Sequence, residues 1–236
     1  MKRQDIIQGL VKLHLYKLIE PLLKRRRAVV INLKILFGVN PLNATYTKAF
    51  FKENIRVSAN SASLLIKKIV DKFPLTKSVV DLGCGNGIYL NEFTKNGIES
   101  ILGVDGSKYS KTESLVDRTL ITKGDLRYDM NIDRKFDVAL CIEVAEHLDS
   151  KYADQLVENI TRVSNLAIFT AAPPGQGGVD HVNERPKSYW ISMFNKRDFT
   201  YDQKTSEEFS QYLMENKAVS WLSNNLMIFK KEVLAL

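Results

Sequence analysis

The chain has 236 residues, 44% hydrophobic and 26% charged, a composition ordinary for a globular protein with a sizeable core. No uninterrupted apolar run reaches 18 residues, so the sequence predicts no membrane-spanning helix. Two cysteines, Cys84 and Cys141, do not make a disulfide framework, and we therefore expect a reduced, cytoplasmic protein.

The net charge of +7 is unevenly distributed. Residues 1–70 hold 14 Lys and Arg against 3 Asp and Glu, whereas residues 71–236 hold 20 against 24. Such a basic segment is typical of a solvated helical face, and it also suits an anionic membrane surface, with residues 1–39 as the candidate contact. A nucleic-acid partner is less expected, because no strip of aromatic and basic side chains is visible. We interpret residues 1–57 as a basic helical extension and residues 58–236 as the main domain.

The predicted elements begin with a helix from about Asp5 to Glu20 and a second from Ser61 to Phe73, which Pro74 ends. From Ser78 onward, short apolar runs alternate with segments of helical period. The predicted strands are SVVDLG, SILGVD, LITKGD, FDVALCIE, LAIFTAAPP, a short run after Arg197, and SWLSNNLMIFKK. The predicted helices are GIYLNEFTKNG, SKYADQLVENITRVS, PKSYWISMFNKR and SEEFSQYLMENK. This alternation predicts a doubly wound α/β fold, with a mainly parallel seven-stranded sheet and helices on both faces.

A glycine-rich turn, VVDLGCGNG at residues 79–87, follows the first of these strands. Ligands of open parallel sheets bind beyond the carboxyl ends of the strands, and glycine lets the backbone approach a ligand closely. The spacing of Gly83, Gly85 and Gly87 is G-x-G-x-G, which differs from the G-x-G-x-x-G of dinucleotide-binding proteins.

Acidic residues also lie at the strand ends: Asp81 just before the first glycine, and then Asp105, Asp125 and Glu143. These carboxylates would repel a pyrophosphate. They would stabilise a ligand with an ammonium, a sulfonium, a ribose diol and an adenine amino group. S-adenosylmethionine has all of these groups, and we expect it as the cofactor.

With these motifs, residues 58–230 resemble the S-adenosylmethionine-dependent methyltransferases of the Rossmann-like class. The markers are VVDLGCGNG, GVDGS, GD at 124–125, and FDVALCIEVAEHL. The resemblance implies that Asp81 and the glycine turn hold the methionine end, with Glu143 beside it. Asp105 would take the ribose hydroxyls, and Asp125 with the Leu126 backbone would lie at the adenine. The cofactor-binding residues predicted in this way are Asp81, Gly83, Cys84, Gly85, Asp105, Gly106, Asp125, Leu126 and Glu143.

A second glycine-rich loop, within residues 170–194, follows the strand LAIFT at the same sheet edge. It suits a mobile cover over an acceptor site. The stretch resembles a methyltransferase subgroup with the signature PGQGG…HVNE…YW. His181 is the first candidate general base, because histidine titrates near neutral pH, and His147 is the second. Tyr189 and Trp190 are candidates for the acceptor pocket or for core packing.

Glu143, Glu146 and His147 form an ExxEH pattern whose members would share a face on a helical turn. Two carboxylates and an imidazole can bind a divalent cation, and His181 is a further candidate ligand. The pattern resembles that of small-RNA 2′-O-methyltransferases and quinone-precursor O-methyltransferases, where it is associated with Mg²⁺. Many methyltransferases carry a similar string without a metal, so capping and packing by Glu146 and His147 stays the alternative.

From these features we expect methyl transfer to a hydroxyl oxygen of a small-molecule or sugar-like acceptor. Three alternatives stay open. They are a metal-assisted RNA 2′-O-methyltransferase, a lipid or quinone-precursor O-methyltransferase at a membrane surface, and a non-catalytic protein that binds S-adenosylmethionine. The sequence does not identify the acceptor.

Overall fold

A computed structural model describes residues 46–178 and 180–232. Tyr46 to Leu236 forms one compact unit. The predicted helix from Asp5 to Glu20 and the predicted membrane contact through residues 1–39 lie outside the described residues. Within the described ranges, no helix combines the length and the apolar character that a membrane span requires.

Helices and strands alternate along most of the described chain. The α-helices are α1 (Lys48–Lys72), α2 (Ile88–Lys95), α3 (Lys108–Thr112), α4 (Ala153–Val163), α5 (Lys187–Asn195), α6 (Gln203–Glu215) and α7 (Ser220–Asn225). The strands are β1 (Ser78–Leu82), β2 (Ser100–Asp105), β3 (Ile121–Lys123), β4 (Val138–Ile142), β5 (Leu166–Thr170), β6 (Phe199–Tyr201) and β7 (Met227–Lys231). Short 3₁₀ turns cover Arg118–Leu120, Ala145–His147 and Ser150–Tyr152.

The seven strands form one sheet in the order β3-β2-β1-β4-β5-β7-β6. The first five strands in this order are parallel, whereas β7 runs antiparallel to both β5 and β6. The strand order reverses between β1 and β4, which is where open sheets of this kind bind ligands. The doubly wound, mainly parallel sheet predicted from the sequence is confirmed.

The core lies on both faces of this sheet. Alternate strand residues face opposite sides, so Val79 packs in a cluster with Leu65 of α1 and Phe209 of α6. Its neighbour Val80 packs in a second cluster with the helices α4 and α5. In that second cluster the ring of Phe194 stacks on Phe229 of β7 at 3.8 Å between centroids.

Helix α1 begins earlier than the predicted start at Ser61. Thr47 caps it by accepting a hydrogen bond from the Phe50 amide at 3.4 Å. In residues 48–60 only Phe51 and Ser58 are buried, so this half of the helix lacks the periodic apolar signal that predicted the second half. The predicted domain boundary between residues 57 and 58 falls inside α1.

The last predicted strand was wrong in its first half. Residues 220–225 form helix α7, and only Met227–Lys231 form β7. Leu222 and Leu226 are both fully buried and lie four residues apart, a helical spacing that the neighbouring strand residues obscured.

Candidate active site

The glycine turn follows β1 and holds three residues with left-handed backbone. The φ angles are +87° at Gly83, +55° at Gly85 and +78° at Gly87, which glycine adopts most readily. The Gly83 amide donates to the Val104 carbonyl at 2.8 Å. A Cβ atom at position 83 would overlap Val144, so the turn needs a glycine there for space as well.

Cys84 contributes its backbone and its thiol to this turn. Its amide donates to the Val104 carbonyl at 3.1 Å, and its thiol donates to the Gly85 carbonyl at 3.5 Å. The thiol is buried against Gly103, and a Cβ atom at that glycine would lie 2.7 Å from the sulfur. The cofactor contact at Cys84 stays a prediction.

Two carboxyl groups lie beside the turn in surroundings that disfavour their charge. Asp81 is 1% exposed, and its Oδ2 has no hydrogen-bond partner. Burial, with a smaller contribution from Asp105, raises the pKa of Asp81 to about 8. Burial also raises the pKa of Asp105 to about 6, although its oxygens accept hydrogen bonds from the amides of Gly85 at 2.9 Å and Ser107 at 2.8 Å.

Further polar atoms around the turn are buried without partners. They are Nδ2 of Asn86 and the hydroxyl of Tyr89. Buried polar groups in folded proteins are nearly always paired, so such a cluster needs water or a polar ligand. Together with Asp81, these atoms fit a cationic ligand that carries hydrogen-bonding groups, as S-adenosylmethionine does.

The residues predicted at the adenine lie after β3. The Asp125 carboxylate is paired with Arg127, whose Nη2 donates at 2.5 Å and whose Nε donates at 2.9 Å. This hydrogen bonding lowers the pKa of Asp125. Leu126 is buried, and Gly106 is half-buried next to Asp105.

The segment after Asp125 is held by a buried side chain from α4. Nδ2 of Asn159 donates to the carbonyls of Leu126 at 3.2 Å and Tyr128 at 2.9 Å. Its Oδ1 accepts from the Met130 amide at 3.3 Å. Sequence analysis did not single out Asn159, since its contacts cross about thirty residues.

Glu143 ends β4 and is not on a helical turn with Glu146 and His147. The backbone of Glu143 is left-handed, with a φ of +53°, so the chain changes direction before the 3₁₀ turn begins at Ala145. The expectation that the three share a helical face was wrong for this reason.

The Glu143 carboxylate accepts hydrogen bonds from Gln176 Nε2 at 2.9 Å and from Asn225 Nδ2 at 3.0 Å. Asn225 also donates to Gln176 Oε1 at 2.8 Å.

Glu146, His147 and His181 do come together. One ligand atom of each lies within 4.8 Å of the others. Glu146 is fully buried with neither carboxyl oxygen bonded, and burial, followed by Glu143, raises its pKa to about 9. Burial, followed by His181, lowers the pKa of His147 to about 4, and Nδ1 of this ring is buried without a partner. The His147 and His181 rings meet edge to face at 4.9 Å.

The loop between β5 and α5 brings His181 to this cluster. The amides of Val182 and Asn183 donate to the Glu146 carbonyl at 2.8 and 3.1 Å. Oε1 of Glu184 lies 2.9 Å from Nδ1 of His181, within hydrogen-bond distance. Sequence analysis included Glu184 in the HVNE part of the signature but gave it no role.

The start of α1 also reaches the site, which the sequence did not indicate. The Tyr46 ring meets the His147 ring edge to face at 5.9 Å. Ser107, whose amide donates to Asp105, donates its hydroxyl to the Tyr46 carbonyl at 3.1 Å. The Phe51 ring packs against Gly85.

Of the two aromatic candidates for the acceptor pocket, Trp190 belongs to the core. It is fully buried, and its ring lies 5.2 Å from that of Phe169. Of the two roles expected for Trp190, the structure therefore supports core packing, because α5 faces the sheet at this position. Tyr189 is half-buried, with the Arg185 guanidinium 5.2 Å from its ring centre.

Comparisons with known proteins agree with this architecture. Residues 53–165 match a family model described as a methyltransferase domain. A ubiquinone biosynthesis O-methyltransferase of Psychrobacter cryohalolentis is 27% identical over 170 residues, which is 67% of this chain and 59% of that protein. The chain covers between 47% and 59% of the length of four such relatives, less than two thirds of each.

Solved structures share the fold at low identity. The sugar N-methyltransferase KedS8 from Streptoalloteichus sp ATCC 53650 has a TM-score of 0.63 at 12% identity, over 79% of this chain and 93% of that one. Magnesium protoporphyrin IX methyltransferase from Synechocystis PCC 6803, solved with bound SAH, has a TM-score of 0.58 at 14% identity, over 78% and 88%. Residues 53–165 are therefore similar to a methyltransferase domain, and the described chain has the Rossmann-like fold of these methyltransferases.

Proposed function

We propose that this protein transfers the methyl group of S-adenosylmethionine to a hydroxyl oxygen of a small-molecule acceptor. The observation that carries the proposal is the presence of two groups after neighbouring parallel strands, at the same edge of the sheet. The first is the unpaired, buried carboxyl of Asp81 beside the glycine turn. The second is the cluster of Glu146, His147 and His181 at the ends of the next strands.

When bound, S-adenosylmethionine supplies an electrophilic methyl group on a sulfonium sulfur. Asp81 and Asp105 hold its ammonium and ribose groups, and a cationic ligand offsets the charge that burial otherwise disfavours. Aligning the acceptor oxygen with the methyl carbon provides much of the rate gain in such a displacement.

A hydroxyl acceptor also has to lose its proton, and histidine is the residue suited to receive it near neutral pH. His181 fits this role, because Glu184 contacts Nδ1, so Nε2 is the nitrogen that we propose takes the acceptor proton. His147 is the weaker base, since its surroundings lower its pKa to about 4. It would serve to shape the site beside Tyr46.

The names of similar proteins include an O-methyltransferase of ubiquinone biosynthesis and a sugar N-methyltransferase. We favour an oxygen acceptor, since a proton-accepting cluster lies beside the cofactor turn. A quinone precursor and a sugar-like molecule both present hydroxyl oxygens and are both compatible with this site. The acceptor itself is best found by incubating the protein with labelled methyl donor and small-molecule extract fractions, followed by identification of the labelled product.

Binding of the demethylated product, S-adenosylhomocysteine, tests the cofactor half of the proposal by calorimetry. We expect the parent protein to bind it and Asp105→Asn to bind it at least about tenfold more weakly, because a charge-assisted bond to the ribose is lost. Asp71→Asn is the matched control, since Asp71 is exposed and pairs only with Lys67. Preference for a nicotinamide or flavin dinucleotide would contradict the proposal.

A divalent cation is a second feature that we propose for this site. Both oxygens of Glu146 and Nδ1 of His147 are buried without partners, and His181 lies within reach. Carboxylate and imidazole ligands suit Mg²⁺, Mn²⁺ or a similar ion, which would orient and polarise an acceptor hydroxyl. Glu143, the fourth predicted ligand, is instead bonded to Gln176 and Asn225.

Titration with Mn²⁺, followed by electron paramagnetic resonance, tests the cation directly. We expect one bound ion per chain in the parent and about tenfold weaker binding in Glu146→Gln, which keeps the shape but loses the charge. Glu99→Gln, at an exposed position, serves as the control. Full turnover after thorough chelation, or Mn²⁺ binding unchanged by Glu146→Gln, would remove the cation from the proposal.

A further inference from the structure

The Glu184 carboxylate connects three parts of the loop between β5 and α5. Its Oε2 accepts from the Gly175 amide at 2.7 Å, and its Oε1 accepts from the Gly177 amide at 2.7 Å and lies 2.9 Å from Nδ1 of His181. The side chain of Glu184 is 20% exposed and that of His181 is 11% exposed.

We propose that Glu184 is a positioning residue that holds His181 in one tautomer and one orientation. The proposal rests on the proposed function, because it assigns His181 a role in that site. An ionised carboxylate can only accept hydrogen bonds, so the nitrogen facing it, Nδ1, carries the proton. In a neutral imidazole the other nitrogen, Nε2, then has a free lone pair, which can take an acceptor proton or bind a cation.

The two glycine amides support this assignment. The amides of Gly175 and Gly177 can only donate, so Oε2 and Oε1 of Glu184 each act as an acceptor. A neutral glutamic acid would instead permit either tautomer of the ring.

The fold leaves the His181 ring little freedom to turn. A Cβ atom at Gly178 would overlap Nε2 of this ring, so the backbone of the loop lies directly against it. On another side, the His147 ring meets it edge to face at 4.9 Å. Glu184 thus ties the glycine-rich loop to the orientation of the His181 ring.

Nitrogen NMR of the imidazole rings in the full-length, ¹⁵N-labelled protein tests the proposal at a pH where the ring is neutral. Loss of signals in His181→Gln assigns the ring. We expect the parent to show a proton on Nδ1. In Glu184→Ala we expect the proton to move to Nε2, which neutral histidine prefers when unconstrained. Glu184→Gln, whose amide oxygen can still accept from Nδ1, should restore the parent tautomer, and Glu99→Ala is the surface control.

Measurements of turnover and of cofactor binding distinguish a positioning role for Glu184 from a purely structural one. We expect Glu184→Ala to lower kcat by about tenfold to a hundredfold, the range for partners that orient a site residue. Its affinity for S-adenosylhomocysteine should change less than about twofold, because Glu184 lies outside the predicted cofactor contacts. Glu184→Gln should recover most of the lost kcat.

Two results would overturn the inference while leaving the proposed function intact. One is a parent ring with its proton on Nε2, and the other is a Glu184→Ala ring that keeps its proton on Nδ1. Should Glu184→Ala not fold, the parent spectrum alone still decides. A parent protein that does not bind S-adenosylhomocysteine would instead overturn the proposed function, and the inference with it.

Discussion

At the residue scale, ionisation of the buried Asp81 carboxyl lowers the free energy of unfolding, and a cationic cofactor beside it would offset this loss. Its pKa is about 8 in the folded protein, against about 4 for an aspartate in an unfolded chain. Between these values the folded state binds more protons than the unfolded state, so the free energy of unfolding falls as the pH rises from about 4 to about 8. The upper limit of this effect is about 1.4 kcal/mol per pH unit.

Asp81→Asn should therefore stabilise the ligand-free protein at pH 8 and change its stability little at pH 4. The same substitution should weaken binding of S-adenosylmethionine by more than about tenfold, because the cationic ligand loses its buried counter-charge. Denaturant unfolding at several pH values measures the first effect, and calorimetry measures the second. A difference in stability that does not vary with pH would show that the carboxyl is not protonated in the folded state.

The sequence predicted which three side chains come together in the candidate site, but not the contacts of a fourth, Glu143. Glu146, His147 and His181 come together as expected, because strand ends and the following loops share one sheet edge. The contacts of Glu143 with Gln176 and Asn225 were not predictable. They join three segments up to 82 residues apart, and no local pattern encodes such a separation.

At the element scale, the segment after β3 takes its shape from α4. Asn159 is fully buried and bonds the backbone at Leu126, Tyr128 and Met130. Leu126 is a predicted adenine contact. The helix therefore holds the backbone at a residue that we propose contacts the cofactor.

We expect Asn159→Ala to lower the free energy of unfolding by about 1–3 kcal/mol, since buried carbonyls lose their donor. It should also weaken binding of S-adenosylhomocysteine, because the backbone at Leu126 is no longer held. Asn131→Ala, on the exposed continuation of the same segment, should change neither quantity. Unfolding curves and calorimetry measure both, and a destabilised variant with parental affinity would separate this helix from the cofactor site.

The elements themselves were predicted best where local pattern and burial agree. β1, β2, β4 and β5 lie inside the apolar runs that predicted them. Errors arose where the local signal is weak or mixed. The first half of α1 exposes most of its surface, and α7 is a short helix whose apolar residues run directly into β7.

At the scale of the whole molecule, the alternating pattern predicted a parallel sheet but not how it ends. β7 lies between β5 and β6 and runs antiparallel to both. This order depends on long-range packing, such as the stacking of Phe194 on Phe229 and the pairing of Ile168 with Ile228. A sequence pattern shows that a strand exists, but it does not specify which edge the strand joins.

The distribution of charge over the whole chain suggests where an anionic partner would bind. Residues 1–45 contain nine Lys and Arg against two Asp and Glu, a net charge of +7, which equals that of the entire chain. Residues 46–236 contain twenty-five of each and are neutral overall. Each basic residue near an anionic membrane contributes about 1 kcal/mol of attraction, and salt screens it.

We therefore expect the full chain to co-sediment with vesicles of anionic lipid at low salt, and a shorter chain of residues 46–236 to stay in solution. Vesicles of neutral lipid are the matched control for the surface, and binding of S-adenosylhomocysteine by the shorter chain shows that it is folded. If both chains sediment equally, residues 46–236 would be responsible for binding the anionic lipid. Binding of single-stranded RNA in preference to vesicles, with a steep dependence on salt, would instead favour the RNA 2′-O-methyltransferase alternative. The two outcomes differ because release of condensed counterions makes the logarithm of the binding constant for a nucleic acid fall linearly with the logarithm of the salt concentration.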